Sequence, residues 1–542
     1  MKSKLKFFLI ALPFIIGCSP EKASNKVNEL TIVYNNSRRG EIEPCGCVDV
    51  QLGGIQKHGQ LIRDLKKEGR AILHLDGGDL LFPSLNVPEE LKAQWQLRAD
   101  ALGEAYKNMG LDATAVGELD LAFGKAWYEG FVKGKFEVVT SNIVDSKTGK
   151  PWFKPYIIKN VGGLKIGIFG ITNPLLFPKD DPRFAGLRVL PYLDSAREVV
   201  KRLRGKERVD LVVALSHLGV DDELSLPKNV EGIDIIVGGH GTEEPRKVVA
   251  LGDTLYLRSS FEGRKIGVVK IGFSPSRTGW LNEEELASLN QKRESIQHSI
   301  DTLLALKEKK EYKESSEYRA TVDKQIEESR RELELIKKWM PQDKSKVNWY
   351  DGGLIPMLTE SPNDPEISTL IEKYKSDLTT LKGGKGVNVT KVKGAIFATY
   401  QYCSQCHKKQ YEIWENSSHA KAWDVLVKKH QEYNLECMAC HTVGYKDNRG
   451  YGTALKDLQR RVEAEGVTGT FDYRAVQCEN CHGARSTHPF DKKVGVKKVT
   501  PSTCIVCHDP QNSPNFNQTT YWVVGDEEKY GHKPICIKGL PD

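Results

Sequence analysis

Four copies of one short pattern constrain this chain more than any other feature. Its last third contains CSQCH (Cys403, Cys406, His407), CMACH (Cys437, Cys440, His441), CENCH (Cys478, Cys481, His482) and CIVCH (Cys504, Cys507, His508). Two thiols two residues apart and followed at once by an imidazole form an attachment site for c-type haem. The thiols add to the two haem vinyl groups, and the His is delivered to the iron as its proximal ligand. A zinc ribbon needs paired thiols but no His after each pair, and a disulfide does not explain the His either. The pattern therefore predicts four covalent haem c groups. Their packing makes regular structure less necessary, so a mainly α, loop-rich C-terminal region is expected. Four further histidines in that region, His419, His430, His488 and His532, are candidates for the distal side of the irons.

A cofactor attached in this way fits an exported chain, and the start of the sequence agrees. Lys2, Lys4 and Lys6 precede an apolar run from Phe7 to Gly17, which is too short to span a bilayer. The run ends in Ile15-Ile16-Gly17-Cys18, which resembles a bacterial lipobox in which Cys18 becomes the lipidated first residue. The alternative is an ordinary cleaved signal peptide. Ser19 and Pro20 follow, without an Asp, and by resemblance to sorting patterns this favours the outer membrane. The expectation is a protein on the periplasmic side of a bacterial membrane, anchored by lipid, with residues 1–18 as signal and 19–28 as tether. The net charge of +7 is mild for 542 residues, and no basic block interleaved with aromatics suggests nucleic acid.

From Leu30 onward come short apolar runs such as LTIVYNN, AILHLDGGD, FEVVTSNI, LKIGIFGIT, VDLVVALSH and IDIIVGGH, several of them ending in Gly, Asp or His. Helical segments lie between several of them, which predicts layered α/β sheets with ligands at the strand ends. Asn36, Asp79, Glu118, His217 and His240 recur at such ends. GGIQKHGQLIRDLKKEGRAILHLDGGDLL, MGLDATAVGELDLAFG, VVALSHLG and DIIVGGHGT resemble, in order, the motifs of calcineurin-like metallophosphoesterases of the 5'-nucleotidase branch. The resemblance covers about 30 to 275 and implies a two-metal site bridged by Asp79. Several ligands of that family are replaced. Its Asp-x-His reads Ser37-Arg38-Arg39, its Asn-His reads Glu118-Leu119, and its last motif ends in Thr242. Asp79, His217 and His240 remain, and Glu118 stands where the Asn would be. That set suits one Zn, Mn or Fe; the other reading is a metal-free scaffold whose polar groups bond one another.

Farther along, CSQCHKKQYEIWENSSHAKAW, ECMACHTVGY, VQCENCHGARSTHPF and TCIVCHDPQNSPNF resemble the tetrahaem cytochrome c-554 family, from about Tyr400 to His532. The resemblance implies three haems with two His ligands, one five-coordinate haem, and His419, His488 and His532 as distal ligands. His430 lies in a Lys-rich stretch that carries no ligand in the family.

Between the two regions, Leu286, Leu289, Ile296, Ile300 and Leu303, then Val322, Ile326, Leu333, Ile336 and Met340, follow heptad spacing up to Pro341. This predicts an antiparallel helical hairpin, a spacer or an oligomerisation arm. The expected order is a phosphoesterase-like domain at 29–280, the hairpin at 281–341, a linker with one helix at 342–392 and the tetrahaem cytochrome at 393–542.

Three functions fit this text. One is a lipid-anchored cytochrome passing electrons between redox partner proteins. The second is a metal-dependent hydrolase or oxidoreductase coupled to the haems. The third is a module that senses an anion or a metal. Of the 12 cysteines, Cys536 and the pair Cys45–Cys47 are left after lipidation and haem attachment. The pair follows YNNSRRG, so it is expected on the loop leaving the first strand, at the functional end of the sheet. It offers soft metal ligands, a redox-active dithiol, or thiols with a purely structural role.

Overall fold

The computed structural model describes residues 28–44, 51–243, 247–340, 346–380, 397–445, 472–484, 499–509, 513, 516, 522–523 and 535–536. They belong to two compact units, one made of Leu30–Ile271 with Tyr350–Asp542 and one built on Gly272–Trp349.

The strands, in chain order, are β1 (Asn28–Asn35), β2 (Ile72–Asp76), β3 (Ala113–Thr114), β4 (Ile143–Asp145), β5 (Tyr156–Val161), β6 (Leu164–Thr172), β7 (Leu187–Val189), β8 (Leu211–His217), β9 (Ile235–Gly238), β10 (Val249–Leu251), β11 (Thr254–Arg258), β12 (Lys265–Phe273), β13 (Trp280–Asn282) and β14 (Asn348–Pro356). The helices are α1 (Ile55–Lys67), α2 (Lys92–Met109), α3 (Lys125–Val132), α4 (Tyr192–Arg202), α5 (Val220–Asn229), α6 (Glu283–Leu306), α7 (Lys310–Glu314), α8 (Ser316–Trp339), α9 (Pro365–Thr380), α10 (Thr399–Cys403), α11 (Lys408–Glu415), α12 (Ala422–Lys428), α13 (Leu435–His441), α14 (Cys478–His482) and α15 (Pro501–Cys504).

Two sheets carry the larger unit. The first runs β14-β12-β1-β2-β3, with β1, β2 and β3 parallel. The second runs β10-β11-β9-β8-β6-β5. Its four central strands are parallel and its two edges antiparallel. Every residue of LVVALSH in β8 is buried. An unbroken apolar, β-branched run of this kind marks a strand covered on both faces. Helices α1, α2, α3 and α9 cover the first sheet through Ile62, Leu102, Tyr106, Phe131 and Ile371. Helices α4 and α5 cover the second through Val199, Val200 and Leu226. Each such side chain stabilises the fold by roughly 1.5–3 kcal/mol when fully buried. The α/β layering expected from the sequence is present, and the C-terminal region is helical.

Two local differences have physical causes. FEVVTSNI makes only isolated bridges at Val138 and Val139, and β4 starts at Ile143. There Ser141 N–H donates to Gly170 O, and the Asn142 amide donates to the carbonyls of Thr172 and Leu190, which diverts the backbone from a ladder. The segment read as a linker also does more than connect. It supplies β14, and Ile367, Ile371, Tyr374 and Leu378 of α9 lie in the core of the first sheet.

In the smaller unit, α6 and α8 lie antiparallel, with Lys292 bonded to Glu332 (2.6 Å) and Lys307 to Asp323 (2.7 Å). Their seam joins Ile296 and Ile300 to Leu333 and Ile336. Asn282 and Ser315 cap the two helices by accepting from the N–H groups of Glu285 and Tyr318. Pro341 lies outside the described residues.

Helices α10 to α15 are all short, and among the described residues of their region Phe397, Ala398, Val443 and Tyr473 form a core cluster. No described helix is long and apolar enough to cross a membrane.

Candidate metal centre and haem-attachment region

Parallel strands of both sheets end at one place. Asp79 follows β2, Glu118 follows β3, His217 ends β8 and His240 follows β9. One ligand atom from each of the four lies within 4.8 Å of the others. His217 Nδ1–H donates to Gly77 O (2.8 Å), which turns Nε2 toward Glu118 Oε2 (3.0 Å) and Asp79 Oδ2 (3.4 Å). His240 Nδ1 stands 3.5 Å from Glu118 Oε1. An imidazole fixed through one nitrogen and presenting the other is the usual arrangement of a metal-ligating His. Asp79 Oδ2 and His240 Nδ1 are buried without a hydrogen-bond partner among the described residues. A cation would satisfy both, so the residues present fit a single divalent metal.

The electrostatics are those of a closely coupled group. Burial opposes a charged His217, but the carboxylates of Asp79 and Glu118 outweigh it and hold its pKa well above the ordinary value. Burial likewise opposes ionisation of Glu118, and His217 and His240 overcome it, so that carboxylate sits well below its usual range.

The backbone around the site is strained. Ser37, Arg39, Asp79 and His240 all adopt positive φ, at 46°, 55°, 56° and 53°. Such conformations cost non-glycine residues of order 1–3 kcal/mol each, and they cluster at functional sites. A Cβ at Gly117 would lie 2.2 Å from Asp79 Oδ1, so only glycine lets Leu119 N–H reach that oxygen (3.0 Å).

Ser37, Arg38, Arg39 and Thr242 lie beside this cluster or away from it. Ser37 N–H donates to Gly78 O, and Arg39 N–H donates to Asp79 O (2.8 Å), so the segment from Ser37 to Arg39 runs along the Asp79 loop. Arg38 is fully buried and bonds Tyr106 Oη (2.7 Å) and Glu41 O (3.1 Å). Thr242 is exposed. Asn36 Oδ1 accepts from Ser259 N–H and Oγ–H, which joins β1 to the loop after β11.

Two supports of the site were not read from the sequence. The buried Asp120 carboxylate accepts from the N–H groups of Asp79, Leu80, Leu81 and Gly117, fixing the Asp79 loop. Burial first, then the charge of Asp79, push its pKa up to about 8. The buried pair Arg258–Glu223 (3.0 Å) holds the loop of His240. Arg258 donates to Gly239 O (2.6 Å) and to His240 O on that loop, and Glu223 accepts from Gly239 N–H. The signal for Asp120 was its place in GELDL, two residues after Glu118. Arg258 and Glu223 gave none, because their meaning depends on a contact between residues 35 apart.

In the C-terminal region all eight motif cysteines are described, Cys406 exposed and the other seven half-buried. His441 Nδ1–H donates to Ala422 O (2.6 Å), and His508 Nδ1 pairs with Ser513 Oγ (3.0 Å). The contact of His441 leaves its Nε2 for an iron, so the second motif fits haem. The rings of His419 and His508 lie 6.1 Å apart, which brings one predicted distal ligand to the proximal His of the fourth motif. Burial, then His508 and His441, lower the pKa of His419 to about 4, so its imidazole is neutral, as a ligand must be. His430 is exposed at the end of α12. Cys18, Cys45, Cys47, His488 and His532 lie outside the described residues. Cys536 lies in a two-residue strand, Ile535–Cys536, paired with Trp522–Val523.

Residues 402–483 match the family of cytochrome c554 and c-prime. The N-terminal part is similar to 5'-nucleotidases. Identity is 27% over 268 residues with the 5'-nucleotidase of Vibrio cholerae, covering 45% of this chain and 46% of the relative. It is 28% over 281 residues with the snake venom 5'-nucleotidase of Crotalus adamanteus, covering 47% and 45%. The chain thus spans about half the length of these curated relatives. Among solved structures, a 5'-nucleotidase precursor from Thermus thermophilus gives a TM-score of 0.47 at 21% identity, over 65% of this chain and 60% of that one.

Proposed function

We propose that this chain is an exported, lipid-anchored tetrahaem cytochrome that passes electrons between redox partner proteins, with one divalent metal, Zn, Mn or Fe, held in its phosphoesterase-like domain. The observation that carries the electron-transfer reading is the cytochrome c554 match over 402–483, together with the four C-x-x-C-H motifs. His419, His488 and His532 are the proposed distal ligands, Cys18 the lipidated residue, and the periplasmic face of the outer membrane the proposed location. The hairpin of α6 and α8 is a proposed oligomerisation arm.

The metal reading rests on Asp79, Glu118, His217 and His240. A bound metal would act there as a Lewis acid. Ordinary two-metal hydrolysis of nucleotides is not expected, because Ser37, Arg39, Leu119 and Thr242 replace ligands or the charge-stabilising His. The second reading, a working phosphoesterase, is favoured by the similarity to 5'-nucleotidases.

Metal analysis of the purified haem-loaded chain, with an AMP hydrolysis assay in added Mn(II), separates the two. The expected result is one metal per chain beyond the four haem irons, lost in Asp79→Asn, with little hydrolysis. Two metals per chain with robust turnover would establish the hydrolase instead.

A further inference from the structure

The second haem motif is built into the surface of the phosphoesterase-like domain. Tyr433 and Leu435, just before Cys437, pack against the core of the first sheet. Leu435 N–H donates to Gln94 Oε1 (2.9 Å), and Gln94 Nε2 donates to Asn434 Oδ1 (2.8 Å). Glu436, adjacent to Cys437, receives three donors from α2. These are Gln94 Nε2 (3.2 Å), Trp95 Nε1 (2.8 Å) and Arg98 Nη1 (2.6 Å). By contrast, the first and third motifs are tied to each other, with Glu479 accepting from Ala398 N–H and Thr399 N–H.

Arg98 is the centre of this seat. Its side chain is 6% exposed and its guanidinium lies over the Trp95 ring. On its other side is Gly40. With φ +82, a Cβ there would lie 2.7 Å from Leu81 O and 3.2 Å from Arg98 Nη2, so only glycine lets the loop pass. Gly40 follows Arg39, whose N–H bonds Asp79 O. One short chain of contacts therefore runs from the Asp79 loop through Gly40, Arg98 and Glu436 to Cys437. With the guanidinium buried and the Glu436 carboxylate half-buried, the pair adds little net stability, because desolvation offsets its attraction. What it supplies is fixed placement and a fixed charge.

We propose that the site of Cys437, Cys440 and His441 is the dock between the haem region and the phosphoesterase-like domain, with Arg98 as the positioning residue, and that the potential of the haem held there is set by that domain. The link to the metal rests on the metal reading above; the dock does not. A positive charge beside a haem favours its reduced form, so the interface acts on the potential directly.

The test is a spectroelectrochemical titration of the haem-loaded full chain. Arg98→Gln should lower one haem midpoint and leave the others in place, and Arg98→Lys should recover most of the change. In a His441→Met background, the affected midpoint should be that of the Met-ligated haem. Haem content and thermal melting of each variant establish that it is folded, and Glu436→Gln, which should raise the same midpoint, serves where Arg98→Gln does not fold. Unchanged midpoints, or an equal shift of all haems, overturns the dock. Zn(II) added to the wild type, with bound Zn measured, should raise the midpoint of the same haem. Bound Zn that moves no midpoint overturns the coupling to the metal centre. Failure of Zn(II), Mn(II) and Fe(II) alike to bind after chelator treatment overturns the metal reading, while the Arg98 result still decides the dock.

Discussion

The two functional regions are assembled by different means. Around Asp79, Glu118, His217 and His240, protein contacts alone build the site. Strand ends set the spacing, Asp120 and Arg258–Glu223 fix the loops, and a core of Leu102, Tyr106, Phe131 and others lies beneath. Among the described residues of the haem region, one core cluster has four buried members, while Val425, Val427, Ile505 and Val506 are exposed. Covalent haems would add apolar surface against which the chain around them is ordered. The difference teaches that the first site is a property of the fold, whereas the second needs its cofactors as structure.

The largest expected effect follows directly. The full chain produced without haem attachment should lose the fold of its C-terminal region, while removal of metal from the holoprotein should leave the phosphoesterase-like domain intact. Limited proteolysis with mass spectrometry reads both. Cleavage should concentrate after residue 397 in the haem-free chain, and 30–271 should stay protected in each sample. Equal protection of the C-terminal region without haem would break the comparison.

A smaller effect tests the claim that the metal site is built by the scaffold. Arg258→Met leaves Glu223 buried and unpaired; its pKa is already raised by burial. Breaking a buried pair from one side costs about 3–5 kcal/mol. Thermal melting of the phosphoesterase-like domain should show that loss, and metal affinity should fall with it, because Arg258 also bonds Gly239 O and His240 O. A variant that melts lower but binds metal as before would show that the His240 loop does not depend on the pair.

The same contrast explains what could be read from the sequence. Strands such as β6 and β8 were legible because a doubly covered strand must be apolar throughout. Asp79, His217 and His240 were legible because polar residues at the ends of such strands stand out, and the haem motifs because covalent chemistry fixes their spacing. The place of α9 was not legible. Ile367, Ile371 and Tyr374 have helical spacing, but nothing local says that their apolar face closes the core over α1 and α2 rather than a partner. The Glu436 seat was hidden for the same reason, since Arg98 and Glu436 are 338 residues apart.

The interface between the regions gives a third prediction. Burial raises the pKa of Glu41 to about 7, with Arg98 and Arg264 lowering it and Glu262 and Glu436 raising it. The folded chain therefore holds a proton that the unfolded chain releases above about pH 4.5. Stability from this group is fully present below that pH and is lost as pH rises through about 7. Glu41→Gln should stabilise the protein by about 1–2 kcal/mol at pH 8, discounting the shift for partial exposure, and change little at pH 4. Melting curves across that range should show a flatter profile for the variant. An unchanged pH slope would mean that Glu41 is solvated where it meets Arg98.

The smallest effect is expected at the rim of the same interface. Lys429 Nζ donates to Gln51 Oε1 (2.8 Å), but the contact is exposed. Water replaces an exposed hydrogen bond at little cost, and a long lysine side chain loses rotamer freedom to make it. Lys429→Ala should therefore change stability by no more than about 0.5 kcal/mol, within the range of surface substitutions, and should leave every haem midpoint in place. Arg98 differs because its charge is buried and paired beside Cys437. If Lys429→Ala shifted a midpoint as far as Arg98→Gln does, diffuse surface charge rather than the buried seat would govern the haem, and the placement of Arg98 between Gly40 and Glu436 would lose its special role.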